Sequence, residues 1–348
     1  MDSDGLNAPR SRIVDIARAA GVSTATVDRV LHGRLRVRPA TAQRVMKAAA
    51  ALQYLPEAEL WRTLQPAPMD IVFLLPAGTN RFLRQLGELI RASGPGLAPY
   101  NVQCRVVFID SFDPDSVAAA LLRHGRKAQG LAFMALEHPR VREAVEQLAE
   151  RGVHVVTLIS DLTQSRRQAY VGMDNRAAGR TAALLIGRFL AGRHGPVAMI
   201  AGSLSYRGHE EREMGFLRLI EAEFPSLRVV GVREGLDDAE TNYRLARTLL
   251  RQHPNLVALY NIGGGAEGVG QALKAHRAAT RPVFVAHGLT PETRALLIDG
   301  TLDVLINQDP PTMILDCVRI LTNLRDGRPA QAGVEPVRFS LVLRENLP

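Results

Sequence analysis

From Met69 onward, short hydrophobic runs rich in β-forming residues alternate with amphipathic stretches of helical period. The predicted strands cover residues 71–75, 102–109, 130–136, 154–159, 197–201, 227–232, 256–262, 283–287 and 304–306, with helices such as 81–92, 141–151, 176–190, 241–251 and 291–299 between them. This alternation predicts parallel, doubly wound sheets. Nine or ten such units are too many for one sheet. We therefore predict an α/β domain of two lobes, with a ligand cleft where the carboxyl ends of their strands face each other.

The first fifty residues have a purely helical pattern instead. A first helix has its apolar stripe at Ile13, Ile16, Ala17 and Ala20. Gly21 permits a left-handed turn, and Ser23 is a suitable cap for a second helix. The second helix has apolar residues at Val27, Val30 and Leu31 before Gly33, and a third, from about Pro39, buries Val45, Ala48, Ala49 and Leu52. This order predicts an all-α helix-turn-helix unit, whose second helix enters the major groove of DNA.

The charge distribution supports a nucleic-acid partner for that unit. The net charge is +8, and residues 9–49 carry +7 of it, with nine Arg or Lys against two acids. A basic head on a nearly neutral body is typical of binding to the phosphate backbone. The alternative at this point is a solvated basic tail.

Length and composition limit the remaining classes. The 348 residues favour two or three domains, and 46% hydrophobic residues are enough for a sizeable core. The two cysteines, Cys104 and Cys317, exclude a disulfide scaffold and any CxxC site, and they fit a reducing cytosol. We see no signal-peptide pattern and no run of 18 apolar residues, so we expect a soluble cytoplasmic protein without a membrane partner.

The basic segment resembles a known DNA-binding unit. Residues 13–17 (IVDIA) and 21–33 (GVSTATVDRVLHG), extended by Arg44-Val45 and Tyr54-Leu55-Pro56, are similar to the headpiece of LacI-type (lactose/galactose repressor) regulators. The resemblance places the headpiece at residues 10–56. It implies that Thr24 and Ala25 are variable base readers and that Arg29 is the main base-contacting side chain.

The same resemblance gives Ser23 and Thr26 phosphate contacts, although Thr26 is equally suited to an ordinary cap. Two positions depart from the family pattern. Asp28 stands where the family has Ser, and Arg38 replaces the Ser cap before Pro39. Loss of that cap costs the third helix about 1 kcal/mol. The operator sequence therefore cannot be inferred from the resemblance.

Residues 57–68 form the predicted link between headpiece and body. The segment lies between prolines and is long enough for two helical turns. It resembles the family's hinge helix, which inserts a leucine into the minor groove. Leu64 is our choice for that leucine and Leu60 the second candidate. A plain linker with Leu and Trp packed on the body is the alternative.

The body resembles the periplasmic sugar-binding-protein type I effector domain of the same regulators. The similarity rests on residues 174–180 (DNRAAGR), Gly202-Ser203, Arg212, Gly215-Phe216 and residues 308–310 (QDP). It implies an effector domain at 69–348. Lobe 1 would comprise about 69–172 and 307–327, and lobe 2 about 173–306 and 328–348. The crossovers between the lobes should fall near residues 172–174, 306 and 327.

Polar residues at strand ends are the candidate effector-binding groups. They are Asn80, Phe82, Asp161, Asp174, Arg207, Arg212, Asn261, His287 and Gln308. Amide, carboxylate and guanidinium groups beside an aromatic face suit a polyol, because each bonds hydroxyls while Phe82 stacks on a ring. His287 departs from the acidic residue that many relatives carry there. An anionic or phosphorylated effector stays open, because two arginines and a histidine are among the candidates.

Enzyme patterns are weaker than these. Residues 263–268 (GGGAEG) satisfy the dinucleotide fingerprint, but no acid ends the following strand, so a loop approaching the ligand closely fits better. The sequence has no HExxH or GxSxG motif, and Cys104 lies within a predicted strand. We expect no enzyme activity, no cofactor and no metal.

Together these patterns predict a sequence-specific transcription regulator, of which the repressor is the expected type. Its partners would be double-stranded operator DNA and a small sugar-like effector bound between the lobes. A homodimer is expected, because one short helix makes few base contacts and two copies read a near-palindrome. No heptad tail supports a tetramer. The alternative is a sugar-binding or sugar-metabolising protein with an appended basic DNA-binding head.

Overall fold

The structure is a computed structural model that describes residues 12–32, 37–54, 67–110, 112–276 and 280–348. The chain divides into two compact units, Met1–Pro68 and Met69–Pro348. Leu60 and Leu64, the two candidates for the minor-groove leucine, lie outside the described residues.

The amino-terminal unit contains α1 (Ile13–Ala20), α2 (Thr24–Leu31) and α3 (Pro39–Ala51). Gly21 ends α1 with φ +64°, the left-handed conformation that glycine adopts without steric cost. Ser23 caps α2 by accepting a hydrogen bond from Thr26 N–H, whereas Arg38 gives α3 no side-chain cap. Residues from all three helices form the core, including Ile16, Val27, Val45 and Ala49, all fully buried.

Lobe 1 of the second unit is a five-stranded parallel sheet. Its strands are β1 (Met69–Pro76), β2 (Val102–Ile109), β3 (Gly130–Phe133), β4 (His154–Leu158) and β5 (Ala169–Val171), in the order β2-β1-β3-β4-β5. The helices of this part of the chain are α4 (Arg81–Ala92), α5 (Gly94–Leu97), α6 (Pro114–Gly125) and α7 (Pro139–Glu150), with a 3-10 turn at Ala98–Tyr100. Nearly all of β1 is buried, as expected for a central strand covered on both faces.

Lobe 2 is a six-stranded sheet. It contains β6 (Gly195–Ala201), β7 (Leu227–Glu234), β8 (Ala258–Asn261), β9 (Val283–His287), β10 (Val304–Gln308) and β11 (Phe339–Val342), in the order β11-β10-β9-β8-β6-β7. Only the β10–β11 pair is antiparallel. Its helices are α8 (Asn175–Leu190), α9 (Arg207–Glu223), α10 (Ala239–Gln252), α11 (Ala266–Ala275) and α12 (Pro291–Ile298), and a 3-10 turn follows β11 at Arg344–Asn346.

The chain passes between the lobes at three crossovers. The first runs from β5 to α8. The second runs from β10 to α13 (Pro310–Arg325), which returns to lobe 1, where Met313, Cys317 and Leu321 join the core. The third runs from α13 to β11, on the far edge of the lobe 2 sheet.

Helices α8 and α9 approach each other unusually closely. A Cβ atom on Gly179 would lie 2.0 Å from the carbonyl oxygen of Arg212, and one on Gly215 would lie 2.3 Å from that of Arg176. Each glycine therefore admits the backbone of the opposite helix. This contact fixes the position of α9 and of the side chains that it presents.

The predicted fold class is confirmed: a helical amino-terminal unit precedes an α/β domain of parallel sheets. Several predicted bounds were too long, since β3 ends at Phe133, β4 at Leu158 and β8 at Asn261. The short strands β5 and β11 were missed, because three or four residues give too little hydrophobic pattern. Within the described ranges, no helix has both the length and the apolar character needed to span a membrane.

Candidate functional site

The second helix of the amino-terminal unit presents the predicted DNA-reading side chains. Thr24, Ala25 and Arg29 are exposed on α2, and Arg29 forms no hydrogen bond or ion pair in the part of the chain that the structure describes. Small residues at the start of the helix permit close approach to a base pair, and a free guanidinium is able to reach guanine O6 and N7.

The two predicted phosphate ligands are already engaged with each other. Ser23 Oγ accepts from Thr26 N–H at 3.2 Å and lies 2.9 Å from Thr26 Oγ1. The cap function of this pair is therefore present without DNA. Ser23 remains exposed, and Thr26 is half-buried. Asp28, the departure from the family pattern, lies 3.1 Å from His32 Nδ1 on the next turn.

A cavity of about 450 Å³, counted out to its mouth, lies between the two lobes at the carboxyl ends of their strands. Lobe 1 and the first crossover contribute Asn80, Phe82, Leu83, Met134, Ile159 and Met173; lobe 2 contributes His209, Arg212, Asp237, Gly263, Gly264, His287, Gly288, Ile306 and Gln308. Five of the nine predicted effector-binding residues thus line it: Asn80, Phe82, Arg212, His287 and Gln308.

Arg212 is the cation of this cavity. It is 4% exposed, its Nε donates to Asn175 Oδ1 at 2.8 Å, and its Nη1 donates to the carbonyl of Ile262 at 2.7 Å. Nη2 donates no hydrogen bond within the described residues, so this nitrogen is free to donate to a ligand. Burial lowers the pKa of Arg212, but an arginine starts so high that it stays charged at neutral pH.

Asp237 is the acid of the cavity and was not predicted. It is 6% exposed; Oδ1 accepts from Gly264 N–H at 2.7 Å, and Oδ2 accepts from Asn80 Nδ2 at 3.0 Å. Because Asn80 belongs to lobe 1 and Asp237 to lobe 2, the second bond joins the lobes at the cavity rim. An acidic residue shortly after a predicted strand was the available sign in the sequence. The φ of +56° at Asp237 and the contacts of its carboxylate, however, are visible only in the folded structure.

The glycine-rich segment after β8 forms the cavity wall and explains the fingerprint-like pattern. A Cβ atom on Gly263 would lie 2.3 Å from Asp237 Oδ1, and one on Gly264 would lie 2.6 Å from Asn80 Nδ2. Asn261 holds this segment: it is 1% exposed and donates to the carbonyls of Gly263 at 2.7 Å and Gly264 at 3.0 Å. Asn261, predicted as a ligand group, therefore shapes the wall rather than lining the cavity.

Two histidines lie on the lobe 2 side. His287 Nε2 is 2.7 Å from Tyr260 Oη, and burial, with Arg212 nearby, holds the pKa of His287 well below its ordinary value. His209 lies one turn before Arg212 on α9 and was missed by the sequence prediction. Burial lowers the pKa of His209, although the nearby Asp237 acts in the opposite direction. Both imidazoles are therefore neutral at pH 7.

Two buried polar atoms of the lining have no partner within the described residues, namely Gln308 Oε1 and His287 Nδ1. Buried polar groups are normally satisfied, so each indicates a place for a ligand group or water. Phe82 forms an apolar face of the same cavity. Its ring packs against Gly288, where an added Cβ atom would lie 3.3 Å from the ring. The cavity therefore offers an aromatic face, a free guanidinium nitrogen and unpaired hydrogen-bonding atoms.

Three further candidates, Asp161, Arg207 and Asp174, do not line the cavity, because each interacts with another residue. Asp161 pairs with Arg167 and accepts from Thr157 Oγ1 at 2.6 Å. Arg207 pairs with Glu211 at 2.9 Å.

Asp174 is exposed and caps α8 by accepting from Ala177 N–H at 2.9 Å. Cys104 lies in a strand, as predicted; it is half-buried in β2, and burial raises the pKa of its thiol to about 12.

Fold and cavity together define a two-lobed, periplasmic-binding-protein-type receptor attached to a helix-turn-helix unit. Comparison with known proteins agrees: the model for bacterial regulatory proteins of the lacI family matches residues 12–57, and that for the periplasmic binding protein domain matches residues 71–329. The chain belongs to the LacI family and is a DNA-binding transcription regulator, as its sequence resemblance predicted.

Named relatives are regulators too. Catabolite control protein A of Priestia megaterium is 24% identical over 251 residues, 71% of this chain and 72% of that protein. The HTH-type transcriptional repressor PurR of Photorhabdus laumondii is 26% identical over 262 residues, 74% and 73%. Among solved structures, GanP, a glucose-galactose binding protein from Geobacillus stearothermophilus, superimposes with a TM-score of 0.72 at 22% identity, covering 81% of this chain and all of that one.

Proposed function

We propose that this regulator is a homodimeric, cytoplasmic repressor whose affinity for a specific operator is set by a small uncharged polyhydroxylated effector, a sugar or sugar derivative. One observation carries the proposal. The cavity between the lobes combines an aromatic face with a free guanidinium nitrogen and two buried, unpaired polar atoms, in a chain with a helix-turn-helix unit. No catalytic step is needed for this function, and we propose that none occurs.

The charge of the cavity favours an uncharged effector. Arg212 and Asp237 contribute opposite charges, while His209 and His287 are neutral. Arg207, which made an anionic effector plausible from the sequence, pairs with Glu211 outside the cavity. Hydroxyl groups suit this balance, because each donates to one lining atom and accepts from another. The name of GanP is consistent with a sugar.

The operator would be read by α2. Arg29 would bond guanine while Thr24 and Ala25 contact neighbouring base edges, and Ser23 with Thr26 would meet a phosphate. One helix makes few such contacts, so two copies would read half-sites of a near-palindrome. An effector that prefers one arrangement of the lobes would shift the dimer between states of high and low operator affinity, and operator would alter effector affinity by the same factor.

The test uses the full chain. Duplexes selected from a random pool would first be assembled into an operator consensus. The affinity of the protein for that duplex is then measured by fluorescence anisotropy in the presence of hexoses, pentoses and their phosphates. We expect an uncharged sugar to change the affinity by about tenfold or more, the usual size of allosteric coupling. Selection of no consensus, or a response to phosphorylated sugars alone, would contradict the proposal.

A further inference from the structure

A second cavity, which we call the hinge pocket, lies along the crossovers between the lobes. It is lined by residues 170–174 of the first crossover, by α13, and by residues 331–337 of the third. Its empty space, counted to the mouth as for the first cavity, is about 730 Å³. Met173, which is 2% exposed, lines both cavities.

The charged residues that line the hinge pocket are all acidic. They are Asp174 and Glu335, both exposed, and Asp316 on α13, which is only 3% exposed. Asp316 makes no hydrogen bond or ion pair within the described residues, and burial raises its pKa, as does Glu335. Arg319, the cation that opposes this shift, donates its Nε to Tyr100 Oη at 3.1 Å instead.

Because the residue is nearly covered and its carboxylate lines the pocket without a partner among the described residues, a bound cation would stabilise the charged form of Asp316. The other walls are apolar, since Val171, Ile320 and Val334 line the pocket. No group of three or more His, Cys, Asp or Glu within the described ranges is arranged to hold a metal ion. A charged head with a hydrocarbon body matches this surface better than a hydrated metal ion does.

We propose that the hinge pocket binds a small organic cation, an alkylamine or guanidine whose charged head meets Asp316 and whose apolar body lies against the crossover segments. Both crossovers connect the lobes, so lobe rotation changes the pocket. The cation thereby acts as a second effector, coupled to the first cavity through Met173. Binding of the cation is independent of the proposed function, whereas the coupling rests on it.

The experiment titrates full-length protein with hexylamine and 1,5-diaminopentane at fixed ionic strength and pH 7 by calorimetry, with 1-hexanol as the uncharged probe. Asp316→Asn keeps the side-chain shape, and we expect it to weaken amine binding by about tenfold while leaving hexanol unchanged. It should also raise the Tm of the free protein, because an unpaired buried charge is removed; this checks folding. Glu335→Gln should weaken binding less, and the exposed Asp115→Asn should have no effect.

Three outcomes would overturn the proposal: no heat with either amine up to millimolar concentrations, equal affinity of wild type and Asp316→Asn, or equal affinity for hexylamine and hexanol. Gln308→Ala separates the two sites, since it should leave amine binding intact. A protein that binds amines but no sugar would contradict the proposed function alone.

Discussion

The DNA-reading helix and the cavity between the lobes hold their polar side chains in opposite ways. On α2, Thr24, Ala25 and Arg29 are exposed, lie close together in sequence, and depend only on the backbone of one capped helix. In the cavity, Arg212 and Asp237 are buried and are fixed by hydrogen bonds to groups distant in sequence. The exposed side chains of the reading helix are therefore exchangeable without loss of the fold. A change in the cavity alters ligand affinity and packing together.

The largest effect should come from Arg212→Met. The substitution removes the cation of the cavity and leaves Asn175 Oδ1 and the carbonyl of Ile262 without their donor. Because hydrogen bonds to charged groups are worth roughly 1.5–3 kcal/mol each, we expect effector affinity to fall about 100-fold or more. Calorimetry with an effector found by the sugar panel measures the loss.

Arg207→Met is the matched control for Arg212. It lies on the same helix, but its partner Glu211 holds it away from the cavity. We expect effector affinity within about twofold of wild type, because an ion pair of this kind contributes little. Equal losses in the two variants would mean that the loss comes from α9 as a whole and not from the cavity.

The same contrast explains what the sequence was able to predict. Gly21 and Ser23 were found because turns and caps are local, and the α/β pattern followed from hydrophobic periodicity. Asp161, a polar residue beyond a strand, was an equally good candidate for the cavity, but in the structure it pairs with Arg167. Ion-pair partners depend on distances that the sequence does not contain. Asp237 was missed for the same reason, since its role comes from a left-handed turn facing Asn80.

Arg29→Ala should have the next largest effect, and on DNA alone. Losing a bidentate contact to guanine costs roughly 1–3 kcal/mol, so specific affinity should fall by about 10- to 100-fold. The affinity for random duplex and the Tm should hardly change, because Arg29 is exposed and unpaired within the described residues. Fluorescence anisotropy with the selected operator and with a scrambled duplex separates the specific affinity from the non-specific affinity. An equal loss on both duplexes would make Arg29 a phosphate contact.

Gly264→Ala tests whether the cavity needs the lobes to be in contact. The added Cβ would lie 2.6 Å from Asn80 Nδ2, the group that bonds Asp237 across the rim. Overpacking of this kind costs roughly 1–3 kcal/mol, so we expect effector affinity to fall by about tenfold. Small-angle scattering should show more open lobes. Gly96→Ala, where nothing lies within 4 Å of the new Cβ, is the control and should match wild type. An unchanged affinity for Gly264→Ala would mean that the rim contact is not part of effector binding.

The smallest effect expected is a pH dependence of stability that comes from the cavity and not from the reading helix. His287 and His209 both have folded pKa values below their ordinary value near 6.5, so the unfolded chain binds protons that the folded chain excludes. The stability that the two neutral imidazoles provide is therefore fully present above about pH 6.5. The free energy of unfolding decreases as the pH falls below that value. Each imidazole contributes at most about 1.4 kcal/mol of unfolding free energy per pH unit.

Urea unfolding between pH 7 and pH 5 measures this slope. His287→Gln retains a group able to bond Tyr260 Oη and should reduce the slope, while His209 and the partly buried His124 and His154, whose pKa values are also lowered by burial, still contribute. If His287→Gln leaves the slope unchanged, the pKa of His287 is the same in the folded and unfolded chains. The imidazole would then gain a proton as the pH falls through about 6.5, and only below that pH would the extra positive charge of the cavity favour a phosphorylated effector over a neutral sugar.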